Sequence, residues 1–259
     1  GIRSKIINTT IEIDNQSLNF SGFLKSALDR IQAEAAKAVD EKYSILILSD
    51  RGKNETHAAI PMLLAMGAVH HHLIRTARRT QCDIVVETGD TREVHHFATL
   101  IGYGAGAINP YLAYETLHQL RDESVVNSDW DDATVEERYI EAVDKGIIKV
   151  MSKMGISTVS SYRGAQIFEA VGLGQELVDA YFTNTPSRIG GIGLAELEAD
   201  VRRTHNHAYP LRDIPTDTEL KVGGNYHWRR NGEFHMFNPQ TIALLQEASS
   251  RNDKTKYQY

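Results

Sequence analysis

Two short apolar runs constrain this chain more than any other feature. Ser44-Ile45-Leu46-Ile47-Leu48-Ser49 and Asp83-Ile84-Val85-Val86-Glu87 are each nearly continuous in aliphatic residues, and each gives way to polar residues. A strand of that kind has no solvent-facing side, so it belongs in a parallel sheet covered on both faces. The segments around them follow a helical rhythm. Phe20, Phe23, Leu24, Ala27, Leu28 and Ile31 recur at the i, i+3, i+4, i+7 spacing of an amphipathic helix reaching about Val39. Between the two runs, Pro61 suits the first turn of a helix extending to about Arg79, apolar on all sides in its opening half.

The pattern extends in both directions. Ile6 to Ile13 alternates like a half-buried strand. A helix from about Glu93 ends at Gly102-Tyr103-Gly104-Ala105-Gly106. A very short strand, Ala107-Ile108, follows, and then a helix opened by Pro110 and reaching about Arg121. This order implies parallel strands joined by right-handed helical crossovers. The predicted class is α/β with parallel βα units, either an incomplete TIM-barrel-like arrangement or an open doubly wound sheet.

Beyond an acidic loop at Asp129 to Asp132, Thr134 and Glu137 have capping-box spacing, which predicts a helix from Thr134 through about Met151. Ile156 to Val159 reads as a further strand and Arg163 onward as a short helix. After Thr183, glycine, proline and polar residues dominate as far as Pro215, interrupted by a helical stretch from Leu194 to about Arg203. Gly223 to Trp228 reads as a turn and an edge strand, and a last helix starts near Pro239. The expected organisation is an α/β core over residues 1–183, with 184–259 an irregular and helical C-terminal extension of the same domain.

Composition narrows the function classes. With 41% hydrophobic and 24% charged residues, the chain has ordinary globular usage. Its formal net charge of −6 argues against general nucleic-acid binding. No apolar run has the length of a membrane span, and Gly1-Ile2-Arg3-Ser4-Lys5 starts no signal peptide. The missing initiator Met is the expectation for a piece of a longer chain. A single cysteine, Cys82, excludes an internal disulfide and cannot by itself build a thiolate cluster, which points to a reducing, cytoplasmic compartment.

The candidate sites each have a plainer reading. His70, His71 and His72 are consecutive in a helix and diverge by ~100° each, so they cannot share a metal. The Glu93/His96 and Glu115/His118 pairs have Glu-x-x-His spacing, but they sit on short helices separated by a glycine-rich turn. Thr185 to Gly193 is glycine-rich ahead of a helix, yet matches neither nucleotide-binding loop. No metal ligand is assigned. Arg163, after Ser160-Ser161-Tyr162, and Arg188 are candidates for anion or interdomain contacts. Asp50, Arg51 and Glu87 fall where strands end, the edge that carries active sites in barrels and doubly wound sheets. There Asp50 and Glu87 are either an acid/base pair or partners of turn backbone and of Arg51.

Six strings carry a resemblance: LSDRG (48–52), AVHHHLIR (68–75), VVETGDTREVHHFATLIGYGAGAINPYLAYET (85–116), KVMSKMGISTVSSYRGAQIFEAVGL (149–173), TPSRIGGIGLAE (185–196) and HWRRNGEFHMFNPQTIALLQ (227–246). Together they cover most of residues 44–250 and resemble the central domain of the glutamate synthase large chain. The resemblance implies a scaffold between a glutamine amidotransferase domain and an FMN-binding synthase domain, contributing to an ammonia tunnel. The parent enzyme makes glutamate from glutamine and 2-oxoglutarate. The catalytic cysteine, the FMN phosphate loop and the 3Fe-4S cysteines of that family match no position here, so no catalytic or cofactor residue is assigned. The alternative is a stand-alone enzyme or binder gathering Asp50, Glu87 and Arg163 in one concavity. An apolar or basic surface patch would favour the scaffold instead.

Overall fold

The structure, a computed structural model, describes residues 1–13, 22–210, 222–225 and 227–258. Chain contacts separate a unit of residues 1–211 from one of residues 212–259. In the first, β1 (Ser4–Asn8) and β2 (Thr10–Glu12) precede α1 (Phe23–Asp40), β3 (Ile45–Ser49), β4 (His57–Ala59) and α2 (Met62–Arg75). Then come β5 (Asp83–Glu87), α3 (Val94–Gly102), β6 (Ala107–Asn109), α4 (Tyr111–Asp122) and α5 (Asp132–Lys153). The unit closes with α6 (Val159–Tyr162), β7 (Ala170–Leu173), α7 (Gln175–Tyr181), β8 (Ser187–Ile192) and α8 (Leu194–Ala208).

Four strands form one parallel sheet in the order β1-β3-β5-β6. The order never reverses, so the sheet lacks the switch point of a doubly wound fold. Strands are added on one side only, as in a segment of a βα barrel. Ile7, Leu46, Leu48, Ile84 and Val86 are fully buried and join Leu24, Leu28, Ile31, Met66, Val69 and Leu73 of α1 and α2 in one apolar cluster. The opposite face carries the register row Ile6–Ile47–Val85–Ala107. Ile6 is 63% exposed, and Ile47 and Val85 are only partly covered. A second cluster joins Phe97 and Ala98 of α3 to Val143, Ile147 and Met151 of α5 and to Tyr162.

Several boundaries depart from the sequence reading. The strand expected over Ile6–Ile13 is two strands, broken at the fully buried Thr9. There the Thr9 N–H donates to Ser49 O, while its carbonyl accepts from Ile60 N (both 2.9 Å). β1 therefore enters the parallel sheet, and β2 pairs antiparallel with β4. The α2 helix stops at Arg75, not Arg79, in a Schellman-type end: Ala77 N–H donates to Ile74 O and Arg78 N–H to Leu73 O, with Ala77 left-handed at φ 56°. Asp131, not Thr134, caps α5, its carboxylate accepting from Thr134 N at 2.8 Å. Ile156–Val159 is not a strand; Thr158 caps α6 by accepting from Ser161 N, and the helix ends before Arg163. β7 and β8 pair in parallel, unforeseen because glycines dilute their apolar runs.

In the unit of residues 212–259, Asn238 caps α9 (Pro239–Arg251) by accepting from Thr241 N at 3.0 Å, and α10 (Lys254–Tyr257) follows. Ala248 is its one buried apolar residue among those described, whereas Phe234, Met236 and Phe237 are well exposed. The edge strand expected in Gly223–Trp228 is not formed by the described residues of that stretch; Tyr226 lies outside them. Phe20 and residues 211–215 likewise lie outside the described residues. No described helix is long and apolar enough to cross a membrane.

Candidate functional site

The register brings Asn8, Ser49, Glu87 and Asn109 into one row at the C-terminal ends of the four parallel strands. Chain geometry dictates this row: in-register parallel strands end together, and side chains alternate across the sheet. Glu87 accepts from Ser49 Oγ at 2.5 Å and from Arg51 Nε at 2.6 Å. Burial alone would raise its pKa, but the Ser49 and Arg51 hydrogen bonds and the Arg51 charge outweigh that and hold Glu87 below its ordinary value. Arg51 also approaches Glu115 at 3.6 Å and lies 4.1 Å from the centre of the Tyr111 ring.

Asp50 is fully buried and has a different set of partners. Its carboxylate accepts from Thr88 Oγ1 and Tyr111 Oη, each at 2.6 Å, and from Gly89 N at 3.1 Å. Burial and the neighbouring Asp50 push the Tyr111 phenol far above its ordinary pKa. The carboxylate thus ties β3, the turn after β5 and the start of α4 together. Met62 N at the start of α2 donates to Asp90 Oδ2 at 3.1 Å, a second carboxylate seated on a helix end.

Asp50, Arg51 and Glu87 therefore lie in one neighbourhood, but the two carboxylates share no partner. Each is engaged by protein donors, three at Asp50 and two at Glu87, an arrangement that positions turns more readily than it moves protons. Arg163 lies elsewhere: its guanidinium donates to Gly106 O at 3.2 Å, just ahead of β6, where Gly106 N bonds to Ile84 O. That is the opposite, N-terminal edge of the sheet, and Arg163 Nε finds no partner there. Arg188 is exposed on β8, 3.6 Å from Glu169. Among the described residues, Arg163 thus lies at the other end of the sheet from Asp50 and Glu87, so the concavity of the alternative reading does not gather the three. Tyr111, the hub of the arrangement, escaped sequence reading because a Tyr after the helix-opening Pro110 has no distinctive pattern.

The other motifs serve local structure. His96 Nδ1 accepts from Arg92 N and Glu93 N (both 3.3 Å) at the start of α3, and His118 lies 3.1 Å from Glu136. Burial, together with the Arg79 charge, drives His70 down to about 3, and burial with Arg75 drives His71 to about 4. His70 Nδ1 accepts from Arg79 Nε at 3.0 Å. Thr185–Gly193 supplies β8 and its exit, where Glu196 accepts from Gly193 N at 2.8 Å. A cleft of about 500 Å³ near Asn8, Thr10, Phe23, Arg30 and His57 involves none of the five candidate residues. The Arg30 guanidinium is taken up by Glu34 and by the carbonyls of Asn8 and Thr10. The start of α1 is filled by the buried Glu198 carboxylate, which accepts from Gly22 N and Leu24 N (both 3.0 Å).

The chain is similar to known proteins of one family. The glutamate synthase central domain family model matches residues 1–174. The chain is 47% identical over 248 residues to the glutamate synthase [NADPH] large chain of Bacillus subtilis, covering 96% of this chain and 16% of that one. It is 42% identical over 238 residues to the glutamate synthase [NADH] of Saccharomyces cerevisiae, covering 89% and 11%. With the chloroplastic ferredoxin-dependent glutamate synthase 2 of Arabidopsis thaliana it shares 40% identity, covering 99% and 16%. A looser likeness, with a TM-score of 0.42 at 16% identity, covers 74% of this chain and 40% of the flavin-binding domain of baker's yeast flavocytochrome b2, and it carries no weight here. The chain spans a small part of its curated relatives, and it belongs to the glutamate synthase central domain family.

Proposed function

We propose that these residues form an interdomain scaffold, joining a glutamine amidotransferase domain to an FMN-binding synthase domain and contributing to the wall of an ammonia tunnel between them. The parent polypeptide makes glutamate from glutamine and 2-oxoglutarate in the cytoplasm, with FMN and a 3Fe-4S cluster held outside these residues. One observation carries the reading: the incompletely covered face of the four-stranded sheet. Parallel sheets are almost always covered on both faces, yet here Ile6 is well exposed and its row neighbours Ile47 and Val85 are only partly covered. The strand-end carboxylates support it further, because each is already engaged by protein donors and the two share none. Asp50, Arg51, Glu87, Arg163 and Arg188 act in turn structure or domain contacts, with no chemical step assigned to them.

The test mixes the purified chain with separately expressed amidotransferase and FMN domains and measures association by calorimetry. Binding of at least one domain, weakened by Ile6→Lys, is the expected result. Failure of both to bind, or flavin absorbance or glutaminase activity in the chain alone, refutes the proposal.

A further inference from the structure

We draw no further inference here: the strongest candidate, the apolar row Ile6–Ile47–Val85 on the open face of the four-stranded sheet, belongs to the interdomain surface already proposed, and nothing in the structure shows which segment covers it.

Discussion

Replacing Asp50 tests whether the strand-end carboxylate is structural. Its side chain is fully buried and accepts from three donors, Thr88 Oγ1, Tyr111 Oη and Gly89 N. Asp50→Ala strands all three, and each unsatisfied buried donor costs ~1–3 kcal/mol. Water entering the new space recovers part of that, so the expected loss is about 3–5 kcal/mol. This is a large share of the ~5–15 kcal/mol that holds an ordinary domain together. Asp50→Asn keeps one acceptor oxygen but turns an NH2 group toward a hydroxyl, for an expected loss of about 2 kcal/mol. Tyr111→Phe removes one bond and keeps the ring under Arg51, at about 1–2 kcal/mol. Urea unfolding followed by far-ultraviolet circular dichroism gives each value, and the Asp50→Asn/Tyr111→Phe double variant closes a cycle. If the Tyr111–Asp50 bond matters, the double loss falls short of the sum by at least ~0.5 kcal/mol. Additive losses, or an Asp50→Asn variant as stable as the parent, refute the reasoning.

Three further outcomes follow from buried groups. His70 and His71 have folded pKa values of about 3 and about 4 against an ordinary 6.5, so the unfolded chain takes up protons first as pH falls. Their stabilisation is complete above about pH 6.5 and is lost on acidification toward their folded values. For His71 alone, at ~1.4 kcal/mol per unit and discounted for the part of the ring that solvent screens, it amounts to roughly 1–2 kcal/mol; urea midpoints that do not fall between pH 7 and pH 4.5, or His71→Gln leaving their slope unchanged, contradict this. At Gly67 in α2 an added Cβ meets Tyr181 O at 2.4 Å and the Phe182 ring at 3.0 Å. Gly67→Ala therefore lowers stability by about 2 kcal/mol despite a helix-propensity gain of ~1 kcal/mol, and calorimetry should show a Tm lower by about 4–8 °C. On β1, Ile7→Ala costs about 2–4 kcal/mol, whereas Ile6→Ala, at a position 63% exposed, costs under ~1 kcal/mol in urea melts of the isolated chain. Equal costs at the two positions exclude an open sheet face.

Local chemistry made much of the fold legible. The aliphatic runs placed β3 to within one residue and β5 at its observed limits, and Pro61 and Pro110 sit immediately before α2 and α4. Where several local signals compete, the sequence loses resolution. Asp131 and Thr134 are both good helix caps, and only the backbone path selects Asp131. Alternation continues through Thr9, so the transfer of the chain from one sheet to another leaves no mark in the pattern. The candidate site divides in the same way. A strand-end cluster of Asp50, Arg51 and Glu87 could be anticipated, but the distance to Arg163 depends on which end of β6 its loop reaches.

The sequence by itself determined the class, parallel βα units, because the period and length of apolar runs depend only on which faces are buried. Tertiary structure decided the strand order β1-β3-β5-β6, which selects a barrel segment over a doubly wound sheet. It also decided that Asp50 and Glu87 bind different donors, and that one sheet face stays incompletely covered. These are pairings between residues distant in the chain, and no local pattern encodes which of two chemically adequate partners comes within reach.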